Sequence, residues 1–310
     1  MKVIMTTYMQ SGSYAYLIER QKPILEKWGY DVKVVLDVFH NQKLSGDSII
    51  IYYTTFSNIP IFYALFKNFK RVILYSDSAL ITSPFLTINN ILKQTNWKLV
   101  TPSRWNLNMA KKFIDEPIEY HMHFIPDLLQ THGGRIKDYN ERTLDFLTVG
   151  INEKDFDRKG HFYNFIAERI GFKTRRVCAN AFCYGSKQVS EEELMRLYSS
   201  TKWYLSMSHS ESPHLPVLEA FSFGTPAILL DAHEFQYFPG VKVNVTYKSV
   251  KGLRNFYFFE VDSEDFINKI AMARDPTLWE KLSKESREFF EKNVKMENRE
   301  NEFREIIERW

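Results

Sequence analysis

The sequence predicts an α/β protein made of two doubly wound domains with parallel sheets, and three observations predict it. Short runs of Val, Ile, Leu and Tyr recur along the chain and alternate with stretches of helical periodicity. That is the pattern of strands buried on both faces and joined by crossover helices. The length of 310 residues suits two domains of about 150 residues each. An aperiodic segment broken by Gly133 and Gly134 falls between the two halves, where a linker would be.

Taken in order, residues 2–7 read as a buried first strand, followed by a turn at Ser11-Gly12-Ser13. Helical periodicity covers 14–28, and Gly29 stops it. Strands fall at 32–36, 49–53 and 72–75, with a helix over 59–69 between the last two. A strand at 98–101, a helix over 104–114 and a strand at 120–125 complete a first domain set at 1–130. Residues 131–143 read as linker. The strand Leu144-Asp145-Phe146-Leu147-Thr148-Val149-Gly150 opens a second domain that runs to 292. The stretch 293–310 is a charged helix with Phe303, Ile306, Ile307 and Trp310 along one face.

Composition narrows the function. With 44% hydrophobic residues the chain can bury two ordinary cores, and a net charge of only +3 argues against a dedicated nucleic-acid binder. The two cysteines, Cys178 and Cys183, offer no disulfide framework or zinc cluster, so reduced thiols of a cytoplasmic protein are expected. The N-terminus turns polar too soon for a signal peptide. No apolar run approaches the ~20 residues that span a bilayer. The apolar helix at 59–67, followed by Lys70 and Arg71, reads as a core crossover with basic ends, and peripheral membrane contact is its second reading. Neither half carries G-x-G-x-x-G, so a nicotinamide site has no support.

The most informative stretch is Ser208-His209-Ser210-Glu211-Ser212-Pro213-His214-Leu215-Pro216-Val217-Leu218-Glu219-Ala220-Phe221-Ser222-Phe223-Gly224-Thr225-Pro226. It follows an apolar strand and reads as a polar turn and then a helix, with Pro216 at the first helical position and Gly224 ending it. Unbonded N–H groups at such a start suit an anion. Glu211 and Glu219, separated by seven residues, put carboxylates beside that anion, as a ligand that is part phosphate and part polyol needs. This stretch resembles the E-x7-E signature of family 4 retaining glycosyltransferases, which have the GT-B fold of two Rossmann-like domains facing a cleft. The resemblance implies a nucleoside-diphosphate sugar as donor, transfer with retention of configuration, no bound metal or other cofactor, and a last helix returning to the first domain. By position, Glu211 contacts the donor sugar and Glu219 the ribose, with Ser212, His214, Leu215, Val217 and Leu218 lining the same site.

A second resemblance begins at Val149-Gly150 and continues to Asp157-Arg158-Lys159-Gly160, where relatives carry a basic pair opening a helix. Arg158 and Lys159 would there neutralise the departing diphosphate. Asp155-Phe156-Asp157 spells D-x-D, but beside R-K-G it is expected to orient those cations, not a metal. Gln188 and Val189 precede a helix capped by Ser190 and stand where relatives hold the base. The helix body Leu194-Met195-Arg196-Leu197-Tyr198-Ser199 also resembles the family's. In the first domain Gly12 marks the turn near the donor phosphates. Asp77, at a strand end, either orients an acceptor hydroxyl or caps the next segment. His121 and His123 alternate on a strand and read as structural residues.

The chain departs from the family at Ser212-Pro213-His214, where relatives carry Gly-Phe-Gly. That leaves the donor sugar open and gives His214 a place against it. The acceptor stays open among glycan, lipid, protein and small molecule. A sugar-nucleotide epimerase of the same fold and a non-catalytic sugar-nucleotide-binding module are the alternatives.

Overall fold

The computed structural model describes residues 1–9, 13–40, 48–77, 84–132, 134–150, 157–178, 189–209, 211–251 and 256–309, with side chains 247–251 and 256–258 left aside. The chain forms two compact units, residues 1–125 with 296–310, and residues 126–295. Each is an α/β domain built on a parallel sheet.

The first unit contains strands β1 (Lys2–Thr7), β2 (Asp31–Val35), β3 (Ile49–Thr55), β4 (Val72–Asp77), β5 (Lys98–Thr101) and β6 (Ile118–Tyr120). All neighbours pair in parallel, in the order β2-β1-β3-β4-β5-β6. Helices α1 (Ser13–Lys27), α2 (Ile59–Phe66), α3 (Phe85–Gln94) and α4 (Arg104–Ala110) make the crossovers. Strand alternation divides the core between the two faces. Ile4, Ile50 and Tyr52 pack with Phe62, Phe66, Ile88 and Ala110 on one side. Val3, Met5, Ile51 and Tyr53 pack with Tyr14, Ile18 and Leu25 on the other. The C-terminal helix, Met296–Glu308, returns to that second face and buries Phe303, Ile306 and Ile307 there. Gly29, at φ 84, ends α1 as expected.

Two expectations change in this unit. The sixth strand stops at Tyr120, so His121 and His123 lie beyond it, although the His121 N–H still donates to Thr101 O at 3.0 Å. α3 is an element the sequence reading passed over. The two histidines are buried. His123 stacks on Tyr75 at 5.1 Å, His121 stacks on Phe303 at 5.7 Å, and the Tyr75 hydroxyl lies 2.7 Å from His121 Nδ1. Among the described residues neither His123 ring nitrogen has a hydrogen-bond partner.

The second unit holds α5 (Leu128–Thr131), β7 (Leu144–Val149), α6 (His161–Arg169), β8 (Thr174–Val177), α7 (Glu191–Ser200), β9 (Thr201–Ser206), α8 (Leu215–Ser222), β10 (Ala227–Leu230), β11 (Val241–Val243), the antiparallel pair β12 (Val245–Lys251) and β13 (Phe256–Val261), α9 (Ser263–Ala271) and α10 (Pro276–Asn293). Its sheet is parallel in the order β11-β10-β9-β7-β8. The segment expected as linker belongs to this unit, which begins at Pro126. Arg142 explains why. Its buried guanidinium donates to Thr201 O at 2.7 Å, Thr225 Oγ1 at 2.6 Å and Phe223 O at 2.9 Å, and it stacks on Trp279. Burial lowers its pKa to about 10. Cys178 is buried at the end of β8, and Cys183 lies outside the described residues. No helix is long and apolar enough to cross a membrane among the described residues.

Burial pushes the pKa of both His121 and His123 down to about 3. The unfolded chain therefore binds more protons below the ordinary histidine value, and stability falls as pH drops from about 6.5 toward 3, by about 1.4 kcal/mol per pH unit for each histidine. Urea unfolding of wild type and His123→Phe between about pH 6 and 4 measures this, and the variant is expected to lose one histidine's share of the slope.

Candidate functional site

After β9 the residues Met207 to His214 turn the chain into α8. Leu215 opens the helix, so Pro216 takes the second helical position, one later than expected, where its missing N–H is still harmless. Gly224, at φ 62, receives the chain after the helix. Glu211 in the turn is 9% exposed and Glu219 within the helix 8%. Two carboxylates this buried need partners.

Those of Glu211 come from the turn before α6. Gly160 adopts φ 69, and a Cβ there would lie 2.6 Å from Met207 O, so only glycine lets the Arg158-Lys159-Gly160 turn lie against the end of β9. The His209 N–H at 2.9 Å and Ser208 Oγ at 3.0 Å both donate to Arg158 O and fix the contact. Gly150 leaves room for the Lys159 stem, since a Cβ there would be 2.9 Å from Lys159 Cγ. Lys159 Nζ donates to Glu211 Oε1, the Ser208 hydroxyl shares its single proton between that oxygen and Arg158 O, and an Arg158 NH group stands 3.8 Å from Oε1.

Burial alone would raise the Glu211 carboxyl, but the neighbouring positive groups outweigh it and hold it well below the usual carboxylate range. His214 lies 3.7 Å away, and its own pKa is pushed down to about 3, first by burial. It is neutral at physiological pH, so Lys159 and Arg158 carry the lasting positive charge. With Glu211 ionised, these three side chains leave one positive charge in excess, which favours an anion.

Glu219 accepts from the Tyr198 hydroxyl at 2.7 Å. Tyr198 is fully buried in α7, and its carbonyl accepts from Thr225 Oγ1 at 2.8 Å and from Arg142 at 3.4 Å. The sequence reading gave Tyr198 no role, although it noted the Leu-Met-Arg-Leu-Tyr-Ser segment that carries it. It also missed two histidines that brace the turn. His209 Nδ1 donates to Phe259 O at 2.7 Å, and His233 Nε2 donates to Ser208 O at 2.9 Å. His214 lies between Phe235, stacked at 5.8 Å, and Tyr204, edge-on at 5.9 Å. Its Nδ1 is 3.4 Å from Ser206 Oγ, and its Nε2 has no partner among the described residues.

Other expected residues fall differently. The Val217 and Leu218 N–H groups donate to His214 O at 3.0 and 3.4 Å, and Leu215 stands at the helix mouth. Asp157 accepts from the His161 and Phe162 N–H groups at 2.9 and 2.7 Å, which ties the Asp157-Arg158-Lys159-Gly160 turn to the first turn of α6. Ser212 is half-buried beside Glu211, and Val189 is half-buried before Ser190, which caps α7 by accepting from the Glu193 N–H at 3.2 Å. Gly12, Gln188 and Asp155 lie outside the described residues. Asp77 closes β4 in the first unit, where the Tyr14 hydroxyl donates to it.

The backbone contact under Lys159 gives a test. Gly160→Ala is expected to destabilise the second unit by roughly 2 kcal/mol or more, because both the positive φ and the Met207 carbonyl oppose a Cβ. Thermal unfolding followed by circular dichroism measures it, with Gly171→Ala as control, since a Cβ at Gly171 has nothing within 4 Å and brings only the positive-φ cost.

The family model described as glycosyl transferase-like matches residues 158–305, the span that carries Arg158, Lys159, Glu211 and Glu219. A chain designated a glycosyltransferase, ORF315 of Acidianus bottle-shaped virus, is 41% identical over 313 residues and covers 97% of both chains. Among solved structures, sucrose-phosphate synthase from Thermosynechococcus elongatus matches with a TM-score of 0.70 at 12% identity, covering 100% of this chain and 99% of that one. HepE of Anabaena, solved with UDP and glucose, matches with a TM-score of 0.67 at 11% identity, covering 100% of both. The continuous match to ORF315 and the two parallel-sheet units together assign the sequence: it belongs to the glycosyl transferase-like family, with the GT-B fold.

Proposed function

We propose that this glycosyltransferase takes its sugar from a nucleoside diphosphate donor, uridine being the first base to test, and transfers it with retention of configuration and without a metal ion. The observation that carries the reading is the group of half-buried Arg158 with buried Lys159 and Glu211 at the mouth of α8. A diphosphate leaving group carries about two negative charges, and two fixed cations in a water-poor site stabilise it as the bond to the sugar breaks. Lys159 is already held by Glu211, so little rearrangement precedes the chemistry. Glu211, kept ionised, is suited to accept from donor-sugar hydroxyls. Glu219, oriented by Tyr198, is suited to accept from the ribose hydroxyls, and a charge-assisted bond of that kind is worth about 1.5–3 kcal/mol. HepE, on the same fold, was solved with UDP, which sets the order of the bases.

Retention follows from the resemblance to family 4 enzymes, in which the leaving phosphate takes the acceptor proton on the same face and no separate nucleophile acts. Asp77, buried at a strand end of the first unit, is the proposed orienting group for the acceptor hydroxyl.

Calorimetry with UDP, GDP and their sugar conjugates in EDTA tests the donor site directly. One base is expected to bind without metal and to raise the melting temperature, since a hundredfold excess over Kd contributes about 2.7 kcal/mol. No binding by any of them in EDTA, restored on adding a divalent cation, would refute metal independence. Glu219→Gln is expected to weaken the favoured nucleotide about tenfold or more, and Tyr198→Phe by less. Lys159→Ala is expected to reduce turnover of a glycosyl donor at least about a hundredfold while the fold is retained. Wild-type rates in both Lys159→Ala and Glu219→Gln overturn these roles, and the anomeric configuration of the product by NMR decides retention.

A further inference from the structure

We propose that the outward face of α2, with the start of α3 beside it, is a docking surface for a bilayer with acidic head groups. α2 reads Ile-Pro-Ile-Phe-Tyr-Ala-Leu-Phe, and its polar side-chain chemistry is limited to the Tyr63 hydroxyl. Ile59, Phe62 and Phe66 are buried in the core. Ile61, Ala64 and Leu65, spaced i, i+3 and i+4, form a different face, on which Ile61 is 53% and Leu65 46% exposed. α3 packs against α2, and its second residue, Leu86, is 69% exposed. A surface helix normally turns a polar stripe to water; one that is apolar on both faces marks a second apolar environment.

Charge identifies that environment. Residues 48–114 contain eight Lys and Arg residues but a single acid, Asp77, which is buried; of the eight, Lys93 is paired with the exposed Asp115 that follows. Lys67 and Lys70, exposed, follow α2 directly. An apolar helix face flanked by lysines, with no exposed carboxylate in the segment, fits a surface that is negative outside and hydrocarbon beneath. The helix face enters the boundary between head groups and acyl chains while the lysines meet the phosphates. A nucleic acid would reward the cations and leave Ile61, Leu65 and Leu86 in water. With no described helix long enough to cross a membrane, the contact is peripheral.

Co-sedimentation of the full chain with vesicles tests this, without nucleotide sugar present, so the result is separate from the donor assignment. Vesicles of phosphatidylcholine and phosphatidylglycerol are expected to pellet the protein, and vesicles of phosphatidylcholine alone to leave it in solution. The double variant Ile61→Asp/Leu65→Asp and, separately, Lys67→Glu/Lys70→Glu are each expected to lower the bound fraction about tenfold. Unchanged circular dichroism in both keeps the comparison valid, because all four side chains face water. The proposal is overturned by failure of the wild type to pellet with acidic vesicles, or by pelleting that survives Ile61→Asp/Leu65→Asp. Preferential binding to duplex DNA that the same double variant leaves intact overturns it equally.

Discussion

The approach of one backbone to another at Gly160 is the constraint from which the candidate site follows. A main-chain carbonyl occupies the space where any other residue would carry its Cβ, so the turn before α6 and the end of β9 are held at backbone distance. Neither strand nor helix propensity accounts for that closeness; the absent Cβ does, together with the two bonds that Arg158 O accepts. Once the turn is seated there, Lys159 is directed at Glu211, and a charge that would be costly alone in the interior becomes part of a pair. The turn between β9 and α8 is in this sense shaped by its partner turn as much as by its own sequence.

The parallel strands were legible because burial on both faces leaves continuous apolar runs, and because Gly29 and Gly224 stand where chains leave helices. Glu211, Lys159 and Glu219 were legible because their spacing sits inside a specific motif. What escaped was information carried by distant contacts. Tyr198 is an ordinary tyrosine in sequence, and only the packing of α7 against α8 brings its hydroxyl to Glu219. His209 and His233 act through carbonyl groups 50 and 25 residues away. The main-chain donors at Val217 and Leu218 looked free because a helix start usually leaves them so, but the His214 carbonyl bonds them both. Asp157, read as a neighbour of the cations, also accepts the first two N–H groups of α6, a contact that the D-x-D triplet does not reveal.

Arg142 shows why the middle of the chain was misread. Gly133, Gly134 and a mixed polar sequence look like a connector, and no periodicity marks the arginine that anchors it. Yet its donors reach carbonyls at the ends of α7 and α8 and the start of β9, and the ring of Trp279 lies 4.9 Å beneath the guanidinium. A planar cation with five donors can serve several carbonyls at once, which no neutral side chain does. By holding those ends together it also holds the backbone that carries Tyr198, and so the orientation of Glu219.

The return of the C-terminal helix to the first unit has a consequence for how the protein comes into being. The core that includes Val3, Ile51, Tyr75 and Phe124 is completed by Phe303, Ile306 and Ile307, so its strands wait for a helix made after the second unit. The whole second unit, residues 126–295, is synthesised in between. At ordinary elongation rates that interval is roughly 10–30 s. For that time the nascent first unit presents an open apolar face on the ribosome while the later unit can already close. Order of synthesis and order of completion are thus reversed.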